Sequence, residues 1–264
     1  GAVQVDLGGD FEYFLGSGPN PGGLMGQVWI AADHSGGPYA GNLYLLSSVN
    51  PPGPDPMDVH FIRSTDGGLT WSGVDSGSDK FLWDIDYSDG KAAAAVGILG
   101  TAIRTENSGG DWTACSGGTQ DALMSVCFVD SKRGVAVGSH GTVVRTENGG
   151  ASWEPHESGC DNQLLDVDFF DKKTGIAVGD TGTILRTIDG GASWSRQPCE
   201  LFEFFFDVTL SGDRFGFIVG TGGTVLRTSD AGLTWEELGT GESDTFRGSC
   251  MTASGTLVIV GDHG

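Results

Sequence analysis

A repeat with a step of 41 residues governs this chain. Tryptophan recurs at Trp71, Trp112, Trp153, Trp194 and Trp235, each 41 residues after the last. An arginine keeps the same step at Arg63, Arg104, Arg145, Arg186 and Arg227. So does the first glycine of a Val-Gly-x-x-Gly motif, at Gly97, Gly138, Gly179, Gly220 and Gly261. A period of this size marks stacked supersecondary units, each unable to bury its apolar face alone. The unit over residues 163–200 holds four short extended stretches, LLDVDFF, GIAVG, TILRT and WSRQP. Their apolar, β-branched content favours strands. The turn DTG and the turn IDGGAS supply glycine for left-handed backbone and Asp for local amide bonds. Four antiparallel strands in about 41 residues are the size of one propeller blade.

The expected fold is therefore all-β: a single six-bladed β-propeller over 1–264. Regular four-stranded blades are expected at 80–118, 121–159, 163–200 and 203–241, with inner strands of a closing blade at 244–264. The segment Val5-Asp6-Leu7-Gly8-Gly9-Asp10-Phe11 is similar to Glu106-Asn107-Ser108-Gly109-Gly110-Asp111-Trp112, with Phe for Trp. Residues 1–13 are thus expected to form a hairpin that completes the last blade and removes the open sheet edge. The blade at 24–75 is longer than the others. Its extra residues fall near 16–23 and 50–56, where Pro and Gly favour loops over strand ladders.

Composition narrows the function classes. The chain has 46 glycines without a Gly-X-Y period, which excludes collagen and fits many tight turns. Its net charge of −21 argues against nucleic acid and anionic membranes as partners. No apolar run reaches membrane-spanning length, so no membrane insertion is expected. The five cysteines, Cys115, Cys127, Cys160, Cys199 and Cys250, form no CxxC pair. A bridge from Cys160 to Cys115 or Cys199 would join neighbouring blades and favour an oxidising compartment. The expected location is outside the cytosol (secreted, periplasmic or lumenal), with any leader not present in this chain.

The boxes Ser64–Trp71, Thr187–Trp194 and Thr228–Trp235 fit Ser/Thr-x-Asp-x-Gly-x-Thr/Ser-Trp, and Asn107 and Asn148 replace the Asp in the other two. This pattern resembles the Asp-box, or BNR, repeat of sialidases and related propellers. Residues 81–264, with the recurring LLDVDFFDKKTGIAVGDTGTILRTIDGGASW, resemble the photosystem II assembly and stability factor family. Residues 27–72 look more like the first blade of sialidase-type BNR proteins. The first likeness implies a non-enzymatic protein-binding or assembly scaffold. The second implies the alternative, a carbohydrate-binding propeller or a sialidase-like glycoside hydrolase.

The boxes themselves read as structure, because sites spread around a ring cannot converge on one substrate. Arg63, Arg104, Arg145, Arg186 and Arg227 have two readings. Resemblance to the assembly-factor family implies a patch for a partner protein. The alternative is a scaffold role, stacking on Trp or pairing with inner-strand carboxylates. The inner strands carry Asp84, Asp86, Asp166, Asp168 and Asp207, with Ser125, Cys127, Thr209, Gly248 and Cys250 at equivalent positions. Such carboxylates suit Ca²⁺ or Mg²⁺, but pairing with the five arginines is the preferred expectation, and no metal or cofactor is expected. No catalytic residue is assigned; Asp33 is the one acid candidate for the glycosidase alternative. His34, His60, His140, His156 and His263 read as surface residues, with His140 and His263 at equivalent turns.

Overall fold

A computed structural model describes residues 28–32, 43–49, 58–66, 69–70, 72–88, 91–212, 214–252 and 255–262, and only the backbone course for those up to Ile62. The expected hairpin at 1–13, the insertions at 16–23 and 50–56, Asp33, His34 and His263 lie outside the described residues. Among the described residues every regular element is a strand, apart from short 3-10 turns. The first sheet contains β1 (Val28–Ala32), β2 (Leu43–Val49), β3 (Asp58–Ser64) and β4 (Ser72–Val74). The second contains β5 (Leu82–Tyr87), β6 (Ala93–Gly97), β7 (Thr101–Thr105) and β8 (Thr113–Ser116). The third contains β9 (Leu123–Phe128), β10 (Gly134–Gly138), β11 (Val143–Thr146) and β12 (Glu154–His156). The fourth contains β13 (Leu164–Phe169), β14 (Gly175–Gly179), β15 (Ile184–Thr187) and β16 (Ser195–Arg196). The fifth contains β17 (Phe205–Ser211), β18 (Phe215–Gly220), β19 (Val225–Thr228) and β20 (Glu236–Glu237). β21 (Phe246–Met251) and β22 (Leu257–Gly261) form a two-stranded sheet.

Every sheet is an antiparallel meander in chain order. The first strands of consecutive sheets pack side by side, β1 by β5, β5 by β9, and so on to β21. They form the inner wall. The meander puts the boxes and the turns between first and second strands at one end, called here the box face. The crossings between sheets and the turns between second and third strands lie at the other end, the crossing face.

The core lies between sheets. Ala94, Val96 and Ala102 of the second sheet meet Leu123, Val126, Val144 and Trp153 of the third. Val135 and Val137 then meet Leu164, Val167 and Leu185, and Ile176 and Ile184 meet Phe205, Val208 and Leu226. The second strands β6, β10 and β14 are buried along their whole length. That burial explains their continuous apolar runs. Gly179 ends one such strand where the inner strand passes close by. A Cβ there would sit 1.9 Å from the Gln163 carbonyl, so only glycine fits.

The inner strands share one irregularity. Pairing slips by one residue between Leu82 and Asp84, between Leu164 and Asp166, between Phe205 and Asp207, and between Phe246 and Gly248. In β9 the same slip falls between Leu123 and Ser125. Each is a β-bulge, which re-aims side chains locally.

Candidate functional site

The boxes are self-satisfied turns. Asp189 Oδ1 accepts the Ser193 amide at 2.9 Å and Oδ2 accepts the Ser193 hydroxyl at 2.6 Å. In the Asn versions the donors are exchanged. Asn107 Oδ1 still accepts the Asp111 amide at 2.9 Å, while its Nδ2 donates to the Asp111 carboxylate at 2.8 Å. Asn148 likewise donates to the Ser152 hydroxyl at 2.9 Å. The change from Asp to Asn thus keeps the turn. The boxes of the second to fifth sheets also dock on the neighbouring turn of their own sheet, as Gly149 N does on the Lys132 carbonyl at 2.8 Å.

The repeated arginines reach across sheets. Arg63 Nη1 donates to the Ser108 carbonyl at 2.9 Å, and Arg104 Nε to Gly149 at 2.6 Å. Arg145 Nε donates to the Gly190 carbonyl at 2.9 Å, and Arg186 Nε to Ala231 at 2.7 Å. Every acceptor lies in the box turn of the following sheet. The result is a row of guanidiniums along the box face, one step per sheet, called here the stair. Arg104 and Arg145 are also paired with the exposed Glu106 and Glu147, at 2.6 and 2.8 Å. Their side chains stay 20% and 14% exposed, so part of each donor fork faces solvent. Arg227 sits over the Phe215 ring, 5.7 Å from its centroid. Beside Arg104 lies a surface pocket of about 610 Å³, lined by Arg104, Glu106, Cys115 and, from the next box, Ala151.

The inner-strand carboxylates do something else. The expected pairing with the arginines does not occur; they are spent on backbone amides. Asp84 Oδ2 accepts Val126 N at 2.8 Å and Asp86 Oδ2 accepts Phe128 N at 2.6 Å. Asp166 accepts Val208 N at 2.7 Å and the Ser125 hydroxyl at 2.7 Å. Asp168 accepts Leu210 N at 2.8 Å, and Asp207 accepts Ser249 N at 3.0 Å and its hydroxyl. The inner strands from β5 to β21 are thereby clipped each to the next. The reason is geometric: neighbouring inner strands converge without pairing, so their amides need side-chain acceptors. Burial pushes these carboxyls up, Asp84 to about 8, Asp86 to about 6 and Asp168 to about 7. The amides pull the other way and are outweighed. Asp166 and Asp207 are raised by the same burial, and Asp166 charge adds to the effect on Asp207. Among the described residues, no three side chains are grouped to hold a metal.

All five cysteines are free thiols, so the bridge from Cys160 to Cys115 or Cys199 is absent. Cys127 lies within the carboxylate wall, with its sulfur 3.8 Å from Asp168 Oδ1, and burial raises its pKa. His140 is exposed at its turn, with Nδ1 2.9 Å from Asp121 Oδ1. His156 Nδ1 lies 3.2 Å from the Ala192 carbonyl. No helix among the described residues is long and apolar enough to cross a membrane.

Residues 153–253 match the family model of the photosynthesis system II assembly factor YCF48. No protein of curated function matches the chain. Among solved structures, YCF48 bound to a D1 peptide is similar at 21% identity, with a TM-score of 0.64, over 84% of this chain and 72% of that one. YCF48 from Cyanidioschyzon merolae is 18% identical, with a TM-score of 0.65, over 85% and 78%. An ancestral GH74 enzyme gives 15% identity and a TM-score of 0.71 over 90% of this chain, which spans only 35% of that enzyme. These likenesses establish a BNR-type β-propeller that resembles the assembly factor.

Proposed function

We propose that this chain is a non-catalytic, protein-binding propeller that works as an assembly scaffold outside the cytosol, and that it holds its partner through Arg63, Arg104, Arg145, Arg186 and Arg227. The observation that carries the reading is the stair itself. Each guanidinium from Arg63 to Arg186 is fixed by one carbonyl of the next sheet, which lowers the entropy lost when its remaining donors engage a ligand. The steps follow the curve of the box face, so an extended chain with carboxylates or carbonyls suits them better than a compact small molecule. The likeness to a protein solved with a D1 peptide supports this reading.

We further infer six blades, with residues 1–13 supplying the outer strands beside β22. The stair supports that closure. Each acceptor carbonyl lies four residues before a box Trp, and four residues before Phe11 is Leu7.

The GH74 likeness supports a second reading, a carbohydrate-binding or sialidase-like glycoside hydrolase. Asp33 would be its acid. The two readings separate in one comparison. Wild-type protein and a folded Arg104→Glu/Arg145→Glu/Arg186→Glu variant are used as bait for proteins of the native source. A partner held by the first and lost by the second supports the scaffold. Equal capture by both, or turnover of a xyloglucan oligosaccharide by wild type, refutes it.

A further inference from the structure

The bulges of the inner strands fall at equivalent positions, 41 residues apart: Trp83, Met124, Leu165, Phe206 and Arg247. In β5 the bulge sets Leu82 and Ile85, three residues apart, on the same buried side. Trp83 is thereby released from the core and only partly buried, and so are Met124, Leu165 and Phe206. A strict alternation would have hidden some of these side chains. The bulge instead presents one per sheet, at the crossing-face end of the inner wall. Because the inner strands adjoin in order, the five positions follow one another in a row along the inner wall, called here the collar.

The collar is apolar at four of its five described positions, and its fifth is neutralised. Arg247 lies over the Phe206 ring at 5.2 Å from the centroid and forms two bonds to Asp262, at 2.6 and 2.9 Å. Phe204 stacks on Phe206, with centroids 6.3 Å apart and planes 17° apart, and Phe202 beyond it is 84% exposed. Aromatic surface so open marks an interaction site rather than a packing residue. Around this apolar centre the crossings are anionic, with Asp121, Asp161, Glu203 and Asp244 in successive ones. Lys80, the cation of the first described crossing, is paired with Asp79 at 2.9 Å. The chain's net charge of −21 extends the same field.

We propose that this collar is a second docking site, on the face opposite the arginine stair, and that it takes an extended peptide segment with apolar side chains flanked by lysine or arginine. Apolar residues seat against Trp83, Met124, Leu165 and Phe206, and the flanking cations meet the crossing carboxylates. Charge complementarity selects that occupant over an acidic peptide, which the stair suits. The site shares with the proposed function only the premise that the ligand is protein. It does not depend on the arginines.

The test is fluorescence anisotropy with three labelled nonapeptides: a central Phe-Leu pair flanked by lysines, the same pair flanked by glutamates, and a central Ser-Ser pair flanked by lysines. The proteins are wild type, Met124→Gln/Leu165→Gln, Asp161→Asn/Glu203→Gln/Asp244→Asn, and Arg104→Gln/Arg145→Gln/Arg186→Gln. The Gln changes in the collar keep side-chain length at partly buried sites, and the crossing changes test charge without touching the core. The lysine-flanked apolar peptide should saturate wild type and the lysine-flanked Ser-Ser peptide should not. Any binding of the glutamate-flanked peptide belongs to the stair and should be lost in the arginine variant but kept in the collar variant. The Kd of the lysine-flanked apolar peptide should rise about tenfold in each of the collar and crossing variants, and again between about 0.1 and 0.5 M salt. The arginine variant should bind it as wild type does. No saturable binding, equal binding of all three peptides, or indifference to both collar and crossing variants overturns the proposal. Loss in the arginine variant alone also overturns it, while leaving the stair reading intact.

Discussion

Arg186 donates its Nε to the carbonyl of Ala231, 45 residues on and one sheet away, at 2.7 Å. The same bond is made from Arg104 to Gly149 and from Arg145 to Gly190. The arginines therefore have a structural task whatever else they bind. Arg186→Lys keeps the charge but removes the planar fork that reaches this carbonyl. It should lower unfolding free energy by about 1–2 kcal/mol in urea titrations. A change near zero would free the stair from any role in joining sheets.

Gly191 sits at φ +85°, where a Cβ would lie 2.4 Å from Val135 Cγ2 of the preceding sheet. Gly159 has φ +76° and open space around it. Gly191→Ala should cost about 2–4 kcal/mol, because backbone strain and overpacking add. Gly159→Ala should cost only about 1–2 kcal/mol, the strain alone. Equal costs would show that box turns do not press on the neighbouring sheet.

Trp153 is 2% exposed and packs against Phe128, with ring centroids 5.9 Å apart. Trp194 holds the same place in the next sheet but is only half-buried. Trp153→Ala should cost about 3–5 kcal/mol in chemical denaturation, and Trp194→Ala less. The reverse order would contradict the packing.

The inner-strand carboxylates set the pH dependence. Burial raises Asp84, Asp86 and Asp168 from 3.8 to about 8, 6 and 7. A carboxyl raised on folding holds a proton that the unfolded chain has released, so its stabilisation is lost as pH rises through the folded value. The melting temperature should therefore fall between about pH 5 and 8. At the acid end, Asp66 is held at about 2 by Thr70 and Ser64, and its contribution disappears as pH falls toward that value. Asp84→Asn should lower stability overall and flatten the fall between pH 5 and 8. A melting temperature that climbs over that range would contradict the buried ring.

Much of the fold is legible in the sequence because its constraints recur. Trp153, Gly179 and Gly191 answer packing demands that every repeat imposes, so their period shows. The four-stranded antiparallel units follow from the same period. The acceptors of Arg186 and Asp84 leave no such trace. They are a carbonyl and an amide of the next sheet, groups that every residue carries, so the arginines and carboxylates look like partners of one another. The bulges are hidden for a related reason. In LLDVDFF a single added residue, Leu165, shifts the alternation without changing composition. The collar emerges only once strand register is known.

The central claim is that the stair binds an extended protein segment. Calorimetric titration of a D1 peptide, the ligand in the similar solved structure, tests it most directly. The account predicts saturable binding to wild type and a Kd about tenfold weaker for Arg104→Gln/Arg145→Gln/Arg186→Gln with unchanged circular dichroism. Absence of binding, or equal affinity in both proteins, would contradict it.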